Sequence, residues 1–299
     1  MTELVLTDGG IETALVDRLG QELPEFAAFV LLDTAAGREA LRAYYRPFVE
    51  LARERGLGLV LDTPTWRANS DWGARLGYDA DALERVNADA VALVREIGDD
   101  EPGAAAPEVL VNGCVGPRSD DYTASQRMTP EQAEQYHAPQ VRALAESGAD
   151  RVTSVTTLDA AEGIGVVRAA QQARIPAAVS FVLGADGRMA DGGSIAEAIA
   201  EVDAATGGAA IGFLVNCAHP SEAAAGLARC AGAPELSRII GFRLNAAKHG
   251  EEGAGDEPAR FSELAAGLRE YAPNAAAFGG CCGTDVPHVS ALADRGAPA

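Results

Sequence analysis

The sequence predicts one α/β domain over residues 1–299, a (β/α)8 TIM barrel, and three observations carry that prediction. Eight short apolar runs alternate with helical stretches from end to end, the number one barrel of this length needs. Polar and glycine-rich clusters follow nearly every apolar run, as they do around the ring at the C-terminal ends of barrel strands. No Pro- or Ser-rich linker divides the chain, and residues 104–107 and 250–258 read as loops. A doubly wound sheet is the structural alternative; the recurring clusters favour the barrel.

The strands are predicted at residues 4–7, 57–61, 109–111, 151–154, 177–181, 211–215, 239–243 and 275–278. They are short and mostly apolar, as strands buried on both faces should be. Helices are predicted over 38–55, 81–97, 130–147, 159–173, 194–205, 221–229 and 261–271. Thr129 before Pro130 reads as an N-cap followed by proline at the first helical position. Ser194 with Glu197 three residues on forms a capping box. Gly56 and Gly148 read as helix stops.

Bulk properties narrow the function. A chain of 299 residues with 47% hydrophobic content can bury one large core. Its net charge of -20 opposes a phosphate backbone, so no nucleic-acid partner is expected. No apolar run is long enough to cross a membrane, and the N-terminus lacks the basic and apolar regions of a signal peptide. A cytoplasmic protein without a membrane partner is therefore expected. Five cysteines do not complete a disulfide framework; clustered in a reducing compartment, they point to metal ligands or reactive thiols. No Gly-x-Gly-x-x-Gly opens a strand–helix unit and no Walker motif is present, which argues against a nucleotide cofactor.

Two strand ends carry the chemistry. Cys217 ends one apolar run in Val-Asn-Cys-Ala-His-Pro, and Cys281 and Cys282 follow the last in Phe-Gly-Gly-Cys-Cys-Gly-Thr-Asp. Three thiolates are a soft donor set suited to Zn2+, and three protein ligands leave one position open. Adjacent residues on a regular strand face opposite ways, so the backbone must leave the strand at Cys281, and the flanking glycines permit it. Three thiolates and a divalent zinc leave one net negative charge. Such a metal polarises a carbonyl weakly, yet it can keep a fourth thiol ionised and nucleophilic. A free thiol, with a pKa of about 8.5, is mostly protonated at neutral pH. Alkylation of a substrate thiol is the chemistry this favours. Cys114 and Cys230 read as structural.

Other residues are weighed beside these. Asp8, before Gly9 and Gly10, can bind an ammonium group or serve the turn. Glu12 can take an amine or compensate the positive end of a helix. Trp66 and Trp72 flank a strand end and could wall a sulfonium or quaternary ammonium donor by cation–π attraction, or pack the loop. His219 lies close to Cys217, but three cysteines already supply a ligand set. Glu162 reads as a solvated or helix-dipole carboxylate on the first turn of a helix.

These motifs resemble the homocysteine S-methyltransferase family, zinc-dependent thiol-methyltransferase barrels that include betaine–homocysteine and S-methylmethionine–homocysteine methyltransferases. Asp8-Gly9-Gly10-Ile11-Glu12-Thr13 is similar to the family's opening Asp-Gly-Gly-x-x-Thr, and Asn112 through Pro117 to its Gly-Ser-x-Gly-Pro element. Gly212 through Cys217 resembles its Gly-x-Asn-Cys strand end, and Gly279 through Gly283 its Gly-Gly-Cys-Cys-Gly signature. The resemblance implies that Cys217, Cys281 and Cys282 are zinc ligands and that Asn216 shapes the metal pocket. It sets Asp8, Gly9 and Gly10 beside the substrate, and the matched motif positions Glu12, Thr13 and Asn112 join them as candidate substrate contacts. Thr156, at the end of the fourth strand, and Trp66 complete that set. The family's Glu-Thr pair is absent from that strand end, where Val155 stands at the glutamate position.

The reading is a zinc-dependent S-methyltransferase. It takes a methyl group from a small onium donor of the S-methylmethionine, S-adenosylmethionine or betaine type. It delivers that group to a thiol, homocysteine first, yielding methionine. A different small thiol on the same scaffold is the runner-up, and a non-catalytic zinc or redox-sensing protein is the third reading. Exposed barrel helices and interface helices look alike in sequence, so a homo-oligomer is compatible with it.

Overall fold

The computed structural model describes residues 3–99, 108–120, 127–251, 253 and 255–296. The loop expected at 104–107 lies outside them, as do residues 252 and 254 of the loop expected at 250–258. Eight parallel strands close into a barrel in chain order: β1 Val5–Thr7, β2 Gly58–Asp62, β3 Val109–Val115, β4 Arg151–Thr157, β5 Ala177–Val182, β6 Gly212–Asn216, β7 Ile239–Leu244 and β8 Ala277–Gly280. Val5 of β1 pairs with Gly58 of β2 on one side and Ala277 of β8 on the other, which closes the ring.

Around the strands lie α1 Ile11–Asp17, α2 Ala35–Arg55, α3 Ser70–Arg75, α4 Ala80–Asp99, α5 Pro130–Glu146, α6 Ala160–Ala173, α7 Ile195–Thr206, α8 Pro220–Arg229, α9 Pro258–Gly267 and α10 Val286–Gly296. Thr129 caps α5 and the Ser194–Glu197 box caps α7, both as read; Gln132 adds a second capping box at Thr129 that the reading did not include. Phenylalanines of β5 to β8 are buried on the strands, Phe181 stacking on Phe213 at 6.0 Å and Phe242 tilting against Phe278 at 5.5 Å. No helix among the described residues is long and apolar enough to cross a membrane.

Three strands run two or more residues past the end read from the sequence, and each extension moves the site. β3 runs on to Val115, so Asn112 and Cys114 stand inside the barrel wall instead of in a loop above it. β4 continues to Thr157 through a register irregularity between Ser154 and Thr157. β8 ends at Gly280, two residues later than read, so Cys281 is the first residue beyond the wall. The short helices α1 and α3 and the terminal α10 have no counterpart in that reading; six or seven residues carry too little periodicity to stand out.

Candidate metal centre

The ends of β6, β7 and β8 lie level, with Asn216 beside Arg243 and Leu244 beside Gly280. Cys217 leaves β6 with φ 52°, a left-handed conformation uncommon outside glycine, and its N–H donates to Arg243 O at 3.2 Å. The turn after β8 is pinned twice: Cys281 N–H donates to Leu244 O at 2.8 Å, and Cys282 N–H to Asn245 Oδ1 at 3.1 Å. Gly283 completes it at φ 75°. These two departures from the strands bring three sulfurs together. Cys217 Sγ lies 3.0 Å from Cys281 Sγ, Cys281 Sγ lies 4.0 Å from Cys282 Sγ, and all three fall within 4.8 Å of one another. A tetrahedral ion bound at about 2.3 Å sets its sulfurs about 3.8 Å apart, inside that range. All three are free thiols, with Cys217 buried and Cys282 exposed.

Asn216 holds this corner. Its Nδ2 donates to Cys217 Sγ at 3.1 Å and to Thr156 Oγ1 at 3.0 Å. Its Oδ1 accepts from Thr156 N–H at 3.0 Å and from Ser180 Oγ at 2.6 Å. Thr156 also has a positive φ, 63°, so the ends of β4 and β6, with β5 between them, are both strained and one buried amide ties them together. Hydrogen bonds from the Cys281 and Cys282 thiols hold the Cys217 thiol well below its usual range. Sharing with Cys217 pushes Cys281 up to about 12 and raises Cys282 as well.

Below and across the mouth lies a charged floor. Arg243 of β7 donates Nη2 to Asp8 Oδ1 at 2.5 Å and Nη1 to Asp62 Oδ2. Tyr44 OH donates to Gly9 O at 2.9 Å and reaches Asp8 Oδ2 at 3.3 Å. Asn112 Nδ2 donates to Asp62 Oδ1 at 2.7 Å, while Asn112 Oδ1 accepts from Arg151 Nε and Thr153 Oγ1. Burial pushes Asp8 up to about 8; Asp62 adds to that and Arg243 opposes it. Burial alone would lower Arg243, but Asp62 and Asp8 hold it well above its ordinary value.

One pocket joins the two regions. Gly9, Gly10, Glu12, Trp66, Thr156, Asn216 and the three cysteines of the expected set line it, with Ile11, Phe26, Cys114, Val155 and Arg243. Gly10 is required by contact: a Cβ there would lie 2.3 Å from Cys281 O. Burial in this pocket pushes Glu12 up to about 7.

Other expected contacts lie elsewhere. Thr13 faces away and braces the cysteine turn, accepting from Gly283 N–H at 3.4 Å. Asn112 is consumed beneath the pocket. Trp72 carries the guanidinium groups of Arg67 and Arg75 at 3.6 and 4.3 Å and does not line it. His219 has both ring nitrogens engaged, by Ser221 and Asp256, which leaves none for a metal. Glu162 is buried, not solvated: its Oε1 meets His137 Nε2 at 3.0 Å and accepts from Arg118 N–H at 2.8 Å. Cys114, read as structural, reaches the pocket wall. Arg243, Phe26 and Tyr44 were not anticipated. A signal existed for Arg243, because an arginine in an apolar buried strand requires an anionic partner.

Comparison with known proteins places this geometry. The family model described as homocysteine S-methyltransferase matches residues 5–295. Crystal structures of the homocysteine methyltransferase MmuM from Escherichia coli superpose over nearly the whole chain. The metallated form gives a TM-score of 0.76 at 23% identity, covering 99% of this chain and 96% of that one. The oxidized form gives 0.78 at 22%, covering 98% and 96%. At these identities the likeness speaks for the fold. Among curated proteins no sequence matches.

Proposed function

Because the chain belongs to the homocysteine S-methyltransferase family, we propose that this methyltransferase is zinc-dependent and moves a methyl group from a small onium donor to a thiol, with homocysteine the first acceptor to test. The observation that carries the reading is the convergence of three free thiols at one corner of a substrate-sized pocket. Cys217, Cys281 and Cys282 would hold the ion, and their soft sulfurs suit zinc. When bound, zinc supplies the Lewis acidity that keeps an acceptor thiol ionised at neutral pH.

The chain supplies the rest. Asn216 and Thr156 fix the direction of Cys217 Sγ. Ile11, Phe26, Trp66 and Val155 give the pocket apolar walls that exclude water from a nucleophilic sulfur. Donor and acceptor held in one pocket gain the advantage of proximity. A sulfonium or ammonium donor leaves as a neutral sulfide or amine, so no general acid is required. A donor of the S-methylmethionine, S-adenosylmethionine or betaine type fits this chemistry.

One observation favours a different small thiol as acceptor. Val155 offers no carboxylate, and Asp8 is bound by Arg243 and Tyr44. Neither is free to take an α-ammonium group. Competition between homocysteine and other thiols separates the two acceptors.

The primary test is zinc per chain in protein purified under reducing, chelator-free conditions, for wild type and Cys281→Ser. We expect about one zinc in the wild type and almost none in the variant, with methyl transfer lost in parallel. A folded wild type holding no zinc would overturn the mechanism and bring the redox-sensing reading forward.

A further inference from the structure

Cys282 lies beyond the end of β8, where the loop after β7 takes over from the strand ladder. Its N–H donates to Asn245 Oδ1 at 3.1 Å, and its carbonyl accepts from Ala246 N–H at 3.1 Å. The position of Cys282 against Cys217 therefore depends on how this loop is fixed to the loop that carries Cys217. At their roots one backbone bond joins the two, Asn245 N–H to Ala218 O at 3.0 Å. Farther out the link is a buried carboxylate. Glu222, in the first turn of α8, accepts from His249 N–H on Oε1 at 3.0 Å and from His249 Nδ1 on Oε2 at 2.8 Å. The same Oε2 accepts from His219 N–H at 2.8 Å. Asp256 adds a second link: its Oδ2 accepts from His219 Nε2 at 3.1 Å, and its N–H donates to Ala246 O at 2.8 Å. The His219 ring can donate there because its Nδ1 accepts from Ser221 N–H at 3.2 Å.

A capping glutamate owes one acceptor to the N–H of the N-cap residue. Glu222 meets that need at His219 and spends its remaining bonds on the neighbouring loop. Hydrogen bonds to an ionised carboxylate are shorter and stronger than neutral ones, and burial strengthens them further; Glu222 is 5% exposed. We propose that Glu222 is the positioning residue of the cysteine corner: it fastens residues 245–249, which include the cradle of Cys282, to the loop that carries Cys217, and so sets the spacing of their sulfurs. That these sulfurs hold zinc rests on the proposed function; that Glu222 sets their spacing does not. The competing role for Glu222 is to cap α8 and nothing more, and that role leaves Cys282 indifferent to it.

The test compares wild type with Glu222→Gln, which keeps one oxygen for the cap, and with His249→Ala, which leaves the cap untouched. Folding is checked by circular dichroism. In metal-free protein, amide hydrogen exchange is followed by NMR at Cys282 and Ala246. Zinc affinity is then measured on the same samples by competition with a chromophoric chelator. We expect exchange at both amides to quicken about ten-fold in Glu222→Gln and by less in His249→Ala, with the amides of α8 keeping their rates in His249→Ala. Zinc affinity should fall about ten-fold in Glu222→Gln. Wild-type exchange at Cys282 in both folded variants overturns the assignment and reduces Glu222 to a cap. Zinc bound equally by all three proteins defeats this inference and leaves the methyl-transfer reading standing. No zinc in the wild type, with exchange at Cys282 still governed by Glu222, does the reverse.

Discussion

The thiol corner and the charged floor face each other across one pocket, yet they are built on opposite principles. On the floor every valence is spent: Arg243, Asp8, Asp62, Asn112 and Tyr44 are buried and bonded to one another. At the corner the backbone and Asn216 are satisfied, and three soft sulfurs converge within 4.8 Å of one another. The contrast teaches that buried polarity by itself does not mark a site. A saturated cluster holds a barrel closed; an unsaturated one asks for a ligand.

The largest effect should come from breaking the floor. Arg243→Leu leaves Asp8 and Asp62 buried without their cation, and we expect a loss of about 3–5 kcal/mol in denaturant unfolding at neutral pH. A change under about 1 kcal/mol would show that the floor is not structural. Asn216→Ala tests the corner. It removes the donor to Cys217 Sγ without removing a sulfur, and zinc affinity should fall about ten- to a hundred-fold. Unchanged affinity would show that the cysteines need no such positioning.

The smallest effect sharpens the place of Glu12. Its carboxyl is raised from 4.5 to about 7 in the folded chain. The stability linked to its proton is therefore fully present below about 4.5 and lost as pH rises through about 7. Glu12→Gln escapes that loss. Relative to wild type it should gain about 1–2 kcal/mol between pH 5 and 8, a figure already reduced for partial exposure, with no further gain above. A flat difference across that window would mean the carboxylate is solvated.

The two regions were also unequally legible. Cys217 and the Gly279–Gly283 segment announce themselves, because vicinal cysteines among glycines at a strand end have few structural uses. The barrel followed from strand–helix alternation together with the polar and glycine-rich clusters after the strands. The floor was obscure for a physical reason: in a closed parallel barrel, polar side chains can point inward and bond to a neighbouring strand. Asn112-Gly113-Cys114 thus looked like a loop but lies within β3. Arg243 lay inside a correctly drawn strand and had no assigned partner, since Asp8 and Asp62 are remote in sequence. Asp8 was placed at the right strand end, but its carboxylate proves to be spent on Arg243. Thr156 and Cys217 were located by position; no sequence signal announces a positive φ in a threonine or a cysteine.

Barrel closure has a consequence for biogenesis. The Cys217 and Cys281 sulfurs meet only when β8 has paired with β7 and β1, and they are separated by 64 residues. At a synthesis rate of about 5–20 residues per second, Cys217 waits roughly 3–13 seconds for its partners to be made. A nascent chain in that interval has one thiol at a half-built rim and cannot chelate. On the proposed zinc assignment, metal loading would wait until the ring is complete, and a chain carrying zinc would report that its first and last strands have found each other.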